Sequence, residues 1–137
     1  MAQTVVIGGS LAGLLAARVL SDHFEQVTII ERDQYPEGAD FRNGVPQARH
    51  LHVLLAKGHD ILAEYFPTLD EDFARMGIPG IEMGWTTSAY TAGGWTRRVH
   101  SGVMSNPVTR VTIDWYVRQQ LQKRPNITFL TDRKSVV

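Results

Sequence analysis

The chain has 137 residues, the length of one ordinary domain, and its 43% hydrophobic and 20% charged content is typical of a globular protein. The formal net charge is zero, so a nucleic-acid partner is not expected, and the absence of cysteine excludes disulfides and thiolate metal sites. No apolar run is long enough to span a membrane and no signal peptide precedes the first strand, so we expect a cytoplasmic location.

The first elements predicted along the chain are a strand, a glycine-containing turn and a helix. The apolar run Val5-Val6-Ile7 predicts a buried parallel strand that is apolar on both faces. Leu11, Leu15 and Val19 recur at helical spacing and are predicted to form the packed stripe of the helix. A helix N-terminus directly after a strand offers free N–H groups and a positive dipole end, which together bind phosphate or diphosphate.

The turn carries most of a dinucleotide-binding fingerprint, G-x-G-x-x-G. Gly8 takes the place of the first glycine, which makes the tight turn, and Gly13 that of the third, which allows close packing of helix on strand. The middle position is Ser10, where the family pattern has glycine so that the backbone can approach the diphosphate. Serine is small and can donate a hydrogen bond, so the fingerprint is weakened but retained.

A second strand is predicted at Gln26–Ile30, and Glu31 follows at its carboxyl end. An acidic residue about twenty positions after the first glycine accepts hydrogen bonds from the adenosine ribose. The same carboxylate repels a 2′-phosphate. The bound nucleotide is therefore predicted to be FAD or NAD(H) and not NADP(H).

The middle of the chain departs from a regular alternation of strands and helices. After a loop that contains Arg42, a helix is predicted from Leu51 to Tyr65 and a short helix over 70–76 that is capped by Gly77. Residues 81–100 alternate in polarity, with a bend at Gly93-Gly94, and predict two strands outside the nucleotide-binding unit.

The last third of the chain returns to the helix-and-strand pattern. A helix beginning after Thr109 carries Ile113, Val117 and Leu121 on one stripe, and a strand is predicted at 127–130. Residues 135–137 resemble a further strand that is just beginning. We therefore expect the chain to be the N-terminal portion of a longer protein.

The histidines His50, His52 and His59 do not predict a metal site. His52 and His59 lie two helical turns apart, whereas a ligand pair needs a spacing of three or four, and no clear carboxylate completes a set. Arg118 is predicted to be a charge on the helix surface. No nucleophile, base and acid combination is indicated, so no catalytic residue is assigned.

Four separated segments together resemble the FAD-dependent monooxygenases of the aromatic-hydroxylase and polyene-epoxidase type, from the first strand to about Leu130. The segments are Val6–Gly13 with Glu31-Arg32, Arg42–Gln47, His50-x-His52, and Thr109-Arg110 opening a helix with Asp114 and Arg118. The resemblance implies an FAD-binding oxidoreductase that uses NAD(P)H as reductant to hydroxylate or epoxidise a small apolar organic substrate.

The resemblance also implies where FAD is held. The turn from Gly8 to Gly13 would bind the diphosphate, Glu31 the ribose, Arg32 the adenine side, and Arg42 and Arg110 would lie along the cofactor. The cofactor-binding residues expected on this basis are Gly8, Gly9, Ser10, Leu11, Ala12, Gly13, Glu31, Arg32, Arg42 and Arg110.

The predicted fold class is α/β, an incomplete Rossmann-like FAD-binding β-α-β unit with the start of a second, substrate-domain sheet. Residues 1–80 and 101–137 are assigned to the FAD-binding part and residues 81–100 to the second sheet. We expect this portion alone to be inactive, because the remaining FAD motifs of the family are not in it. Two alternatives stay open: an NAD(H)-binding oxidoreductase domain, and a truncated chain that binds nothing. FAD-dependent reductases and halogenases share the fold.

Overall fold

A computed structural model describes residues 2–50 and 52–133 of the chain. Its elements are, in chain order, β1 (Gln3–Ile7), α1 (Leu11–Leu20), β2 (Gln26–Ile30), a 3₁₀ helix (Pro46–Arg49), α2 (Ala56–Tyr65), α3 (Leu69–Arg75), β3 (Ile81–Glu82), β4 (Tyr90–Thr91), β5 (Gly94–Trp95), β6 (Met104–Ser105), α4 (Arg110–Gln122) and β7 (Ile127–Leu130). They form two compact units. The first takes described residues from 2–50 and 109–133, and the second takes 52–108.

The first unit is built on a parallel sheet with the strand order β1-β2-β7. Val6 of β1, Ile29 of β2 and Phe129 of β7 are aligned across the sheet. Val27 and Ile29 are fully buried beneath the helices α1 and α4, which form the core of this unit with the sheet. The α/β class and the β-α-β unit predicted from the sequence are confirmed.

The face by which α1 packs is not the predicted one. Leu14 and Ala17 are fully buried, and Ser21 continues their row, whereas Val19 is 36% exposed. The small residues Ala12 and Ala16 are exposed on the opposite side of the helix. The prediction of a packed Leu11, Leu15 and Val19 stripe is therefore wrong.

β1 is apolar on both faces, but only one face is covered in the part of the chain that the structure describes. Val6 packs under the helices, while Val5 is 56% and Ile7 87% exposed on the other face. The expectation of burial on both faces is wrong for these residues. The helices of this unit lie on one side of the sheet, so alternate side chains of β1 remain uncovered.

α4 begins and ends where the sequence predicts. The Thr109 side chain accepts a hydrogen bond from the Thr112 N–H and so caps the helix. Ile113, Val117 and Leu121 are buried on one face, which confirms the predicted stripe. The helix therefore presents a firm inner face to α1 and the sheet, and the residues beside that face reach the segment after β2.

The second unit contains a helix pair and two small antiparallel pairings. α2 and α3 pack through Leu62, Phe66, Leu69 and Phe73, which are all buried. β3 pairs with β6, and β4 pairs with β5 in a hairpin whose turn lies at the predicted Gly93-Gly94 bend.

Two predictions for the second unit are corrected. The helix begins at Ala56 and not at Leu51, because Leu54 forms an antiparallel bridge with Asn106 before the helix starts. The strand expected from Ile81 stops at Glu82, since a turn follows in which Gly84 has a φ of +87°. Gly77 has a φ of +74°, as expected of a left-handed cap. The assignment of 81–100 to a substrate-domain sheet stays a prediction, and the expected strand at 135–137 lies outside the described residues.

Candidate functional site

The glycine turn between β1 and α1 is fixed by two features of its backbone. Gly8 has a φ of +96°, a conformation that L side chains rarely adopt, and its N–H donates to the Ile30 carbonyl at 2.8 Å. A Cβ on Gly13 would lie only 1.8 Å from the Gly8 carbonyl oxygen. Glycine at both fingerprint positions is therefore required by the way the helix meets the end of the strand.

The N-terminus of α1 is left open toward a ligand. Ser10 is the N-cap residue in an extended conformation, and its side chain makes no capping hydrogen bond. The first turn of α1 contains no acidic residue to offset the positive end of the dipole. The first N–H groups of an α-helix have no acceptor within the helix, so this end can donate to an anion.

Glu31 is the central carboxylate of the site and is only 6% exposed. One of its oxygens, Oε2, accepts from the Gly9 N–H at 2.6 Å and lies 3.1 Å from Nη1 of Arg42. The other, Oε1, accepts from the Asp33 N–H at 2.9 Å. Burial alone would raise the pKa of Glu31, but the two N–H donors and the Arg42 guanidinium together lower it below the ordinary value.

Arg42 joins the loop after β2 to the glycine turn. Its Nη2 donates to the Gly9 carbonyl at 3.0 Å, and its Nη1 lies 3.4 Å from Oδ2 of Asp33. The same Asp33 oxygen accepts from the Gly44 N–H at 2.6 Å. Burial would raise the pKa of Asp33, but this N–H together with Arg32 and Arg42 lowers it. Both carboxylates are therefore charged and compensated at neutral pH.

A groove of about 310 Å³ runs past the turn and Glu31. Its lining combines the end of β1 and β2, the Arg42 loop and the residue Arg133 after β7. The lining residues are Ile7, Gly8, Ser10, Ile30, Glu31, Arg32, Arg42, Gly44, Val45 and Arg133. Arginines thus outnumber acidic residues along the groove, which favours an anionic ligand.

The structure brings five of the ten predicted cofactor-binding residues to this groove. Gly8, Ser10, Glu31, Arg32 and Arg42 line it. Gly9 belongs to the turn itself and donates to Glu31, and the first turn of α1 contains Leu11, Ala12 and Gly13; these four are not among the described lining residues.

Arg110 also does not line the groove, and it lies on a different element from the other predicted residues, at the start of α4. It begins α4, where its Nε lies 2.8 Å from Oδ1 of Asp114 in the same helix. Among the described residues that line the groove, Arg110 is absent. Its role along FAD stays a prediction.

Several residues of the site were not singled out from the sequence. They are Asp33, Tyr35, Gly44 and Arg133. The glycine at position 9 is a sequence signal that a side chain, which the structure shows to be Tyr35, packs closely against the turn. A glycine stands at position 9, where the fingerprint tolerates any residue, and a Cβ there would lie 1.7 Å from the Tyr35 hydroxyl oxygen.

The prediction that Arg118 is a charge on the helix surface is wrong. Arg118 is 4% exposed and donates to the Pro36 carbonyl at 2.6 Å.

The histidines do not form a ligand cluster. Within residues 2–50 and 52–133, no group of three or more His, Cys, Asp or Glu side chains is arranged to hold a metal ion. His59 instead pairs with Asp70 at 2.7 Å in the second unit.

Over residues 2–50 and 52–133, none of the helices combines the length and the apolar character that crossing a membrane requires.

The fold of the chain is similar to that of solved flavin-dependent monooxygenases and of a flavin-dependent halogenase. The chain has a TM-score of 0.66 with pqsL of Pseudomonas aeruginosa, a probable FAD-dependent monooxygenase, at 13% identity over 96% of this chain and 33% of that one. With CmlS, a flavin-dependent halogenase, the TM-score is 0.62 and the identity 22%, over 96% of this chain and 22% of that one. With PieE, a flavin-dependent monooxygenase solved with FAD and substrate, the TM-score is 0.58 and the identity 14%, over 96% of this chain and 24% of that one. The chain therefore has the fold of about a third or less of these flavoproteins.

A closer relative in sequence carries no activity in its name. The chain is 51% identical over 78 residues to protein Rv3254 of Mycobacterium tuberculosis (strain ATCC 25618 / H37Rv). That match covers 57% of this chain and 16% of the relative. No protein-family model matches the chain. The fold expected from the flavoprotein resemblance is confirmed, and the chain spans only a part of the proteins that it matches.

Proposed function

We propose that this chain binds FAD by the adenosine and diphosphate half of the cofactor. The single observation that carries the proposal is the 2.6 Å hydrogen bond from the Gly9 N–H to Glu31. It fixes a buried carboxylate beside the turn that precedes α1. A sugar-binding acid and a phosphate-binding helix end are thereby held next to each other, as an adenine dinucleotide requires.

The charges along the groove fit a diphosphate. The N-terminus of α1 has no acidic side chain in its first turn, and Arg32, Arg42 and Arg133 line the groove beside it. Among the described residues that line the groove, Glu31 is the only one with a carboxylate, and Arg42 already compensates it. A groove of about 310 Å³ lies at the small end of the range for ligand pockets, which suits one half of a dinucleotide.

The remaining hydrogen-bonding capacity of Glu31 fits a ribose. An ionised carboxylate offers about four acceptor positions. The Gly9 N–H, the Asp33 N–H and the Arg42 guanidinium take three of them. One position is left for a ribose hydroxyl, and a 2′-phosphate at that point would be repelled by the carboxylate.

For the whole protein we propose an FAD-dependent monooxygenase that uses NAD(P)H to hydroxylate or epoxidise a small apolar organic substrate. The fold of the solved flavoproteins and the segments that resemble aromatic hydroxylases and polyene epoxidases support this choice. When bound, FAD would supply the hydride and oxygen chemistry. The residues described above would bind and orient its adenosine half, and we expect the isolated chain not to turn over.

The binding proposal is tested by titrating the purified chain with FAD and with ADP in a calorimeter. In Glu31→Gln, which loses the charge but keeps the shape, we expect both affinities to fall about tenfold to a hundredfold, the value of hydrogen bonds to a charged group. Glu25→Gln is the matched control, because Glu25 is an exposed carboxylate at the other end of β2. A wild-type chain that binds neither FAD nor ADP would overturn the proposal.

NAD(H) is a second candidate ligand. The described groove offers contacts to adenosine diphosphate, a half that FAD and NADH have in common. Competition between FAD and NADH for the purified chain separates the two, and the solved flavoprotein neighbours favour FAD. Tight NADH binding that FAD does not displace would reverse the order.

A further inference from the structure

Tyr35 links three parts of the first unit. It lies in the segment after β2, and its hydroxyl donates to the Gly9 carbonyl at 2.8 Å. The guanidinium carbon of Arg42 lies over its ring at 5.1 Å from the centroid, and that of Arg118 at 4.6 Å. A tyrosine ring with two cations over it is held by cation–π attraction as well as by packing.

The hydroxyl of Tyr35 occupies the space that a side chain at position 9 would need. A Cβ on Gly9 would lie 1.7 Å from this oxygen and 3.1 Å from Oε2 of Glu31. Glycine at position 9 is therefore explained by the two side chains that bind its backbone, and not by the general fingerprint. The sequence itself is adapted to the Tyr35 contact.

Fixing the Gly9 carbonyl also fixes the next N–H. The peptide between Gly9 and Ser10 is trans and planar, so the Ser10 N–H points opposite to the Gly9 C=O. Tyr35 and Arg42 both donate to that carbonyl, at 2.8 and 3.0 Å. The Ser10 N–H is therefore directed away from these two donors, at a residue that lines the groove.

Arg118 holds Tyr35 from α4. Its guanidinium is almost completely buried, and its Nη2 donates to the carbonyl of Pro36, the neighbour of Tyr35, at 2.6 Å. Trp115, one turn earlier on α4, donates from Nε1 to the Glu37 carbonyl at 3.1 Å. Two side chains of α4 thus bind the backbone directly after Tyr35, and one of them, Arg118, also lies over the Tyr35 ring.

We propose that Tyr35 is a positioning residue of the nucleotide site, which Arg118 holds in place so that the Gly9–Ser10 peptide directs its N–H at the diphosphate. This inference rests on the proposed function, because it assumes that an adenine nucleotide occupies the groove. Tyr35 itself does not line the groove of Glu31 and the turn; it acts through the backbone of Gly9.

The test uses the full chain and compares two ligands that differ in their phosphates, ADP and adenosine. Tyr35→Phe keeps the ring and removes the hydrogen bond from the Tyr35 hydroxyl to the Gly9 carbonyl, while that from Arg42 remains. We expect ADP affinity to fall about tenfold, the weight of one hydrogen bond to a charged group, while adenosine affinity changes little. Tyr90→Phe is the control, since Tyr90 is 72% exposed in the second unit.

A second variant tests the part assigned to Arg118. Arg118→Met should lower the ratio of ADP to adenosine affinity in the same way as Tyr35→Phe, and the double variant should lose little more than either single one. A folded Tyr35→Phe variant that binds ADP as the wild type does, or that loses ADP and adenosine affinity in parallel, overturns the inference. A wild-type chain that binds no ADP overturns the proposed function itself.

Discussion

Two glutamates at strand ends show how differently the two units treat a carboxylate. Glu31 follows β2 in the first unit and is 6% exposed, with N–H donors from Gly9 and Asp33. Glu82 ends β3 in the second unit and accepts from the Gly102 N–H at 3.0 Å, beside His100 at 3.1 Å. The Gly102 N–H lowers the pKa of Glu82 most, and His100 lowers it further.

The two glutamates differ in burial as well as in their partners. The Glu82 side chain is 19% exposed, against 8% for that of Glu31, so water reaches Glu82 more readily when a partner is lost. Glu31 is held inside the protein, so each of its donors must be present or a buried charge is left uncompensated. Such an arrangement is maintained where the carboxylate has a task, which supports Glu31 as the ribose ligand of the proposed site.

The largest effect on nucleotide binding is expected from adding a side chain at Gly13, where α1 packs against the glycine turn. In Gly13→Val, the new side chain would meet the Gly8 carbonyl at a Cβ distance of 1.8 Å, so α1 must move away from β1. We expect FAD and ADP binding to fall below detection, and the free energy of unfolding to drop by about 1–3 kcal/mol from overpacking. Calorimetric titration and urea unfolding measure the two quantities.

The control for this change is Gly38→Val, since a Cβ on Gly38 would meet no atom within 4 Å. Gly38 lies in the same unit and is exposed. Unchanged ADP affinity in Gly13→Val would show that the turn is not the site. Equal losses in both variants would show that the effect is not local to the turn.

The elements of the proposed nucleotide site could be predicted because their signals are local. The run Val5–Ile7, the glycines Gly8 and Gly13, and the strand before Glu31 follow one another within a short stretch, and the structure arranges them as expected. The buried face of α1 could not be predicted. It includes Ala17 and the polar Ser21, which the apolar periodicity of the helix does not mark.

The supporting residues of the site were missed because their partners are distant in the chain. Arg118 and Pro36 are separated by 82 positions, and Tyr35 and Gly9 by 26. An arginine beside a buried helical stripe gives no sign of which carbonyl it will meet. The short strands of the second unit were overestimated for a related reason, since alternation continues past Glu82 where the backbone already turns at Gly84.

An intermediate effect on the unfolding free energy is expected from removing the Glu31 charge, and it should depend on pH. The pKa values of Glu31 and Asp33 are lowered in the folded chain, so their stabilisation is complete above the ordinary carboxyl pKa of about 4 and is lost as the pH falls through the folded values. At pH 7, Glu31→Gln should cost about 2 kcal/mol of unfolding free energy. The difference from the wild type should shrink as the pH is lowered toward 3, in urea unfolding at each pH.

Glu82→Gln sharpens this comparison between the two units. Its side chain is more exposed than that of Glu31, so we expect a smaller change in unfolding free energy at pH 7 than for Glu31→Gln. A loss at Glu82 as large as that at Glu31 would contradict the argument from burial. So would a difference between Glu31→Gln and the wild type that stays constant from pH 7 to pH 3.

The smallest effect is expected where α2 meets α3, and it has the opposite pH dependence. The hydrogen bond to Asp70, 2.7 Å away, raises the pKa of His59, so its stabilisation is full below about pH 6.5 and is lost as the pH rises through the raised value. Asp70→Asn should cost less than about 1 kcal/mol at pH 5.5, because Asp70 is exposed, and less than that at pH 8.5, where only the interaction with the N-terminus of α3 remains. Glu71→Gln, in the same turn of α3, is the control. A cost for Asp70→Asn that is equal at both pH values would show that His59 does not titrate against Asp70.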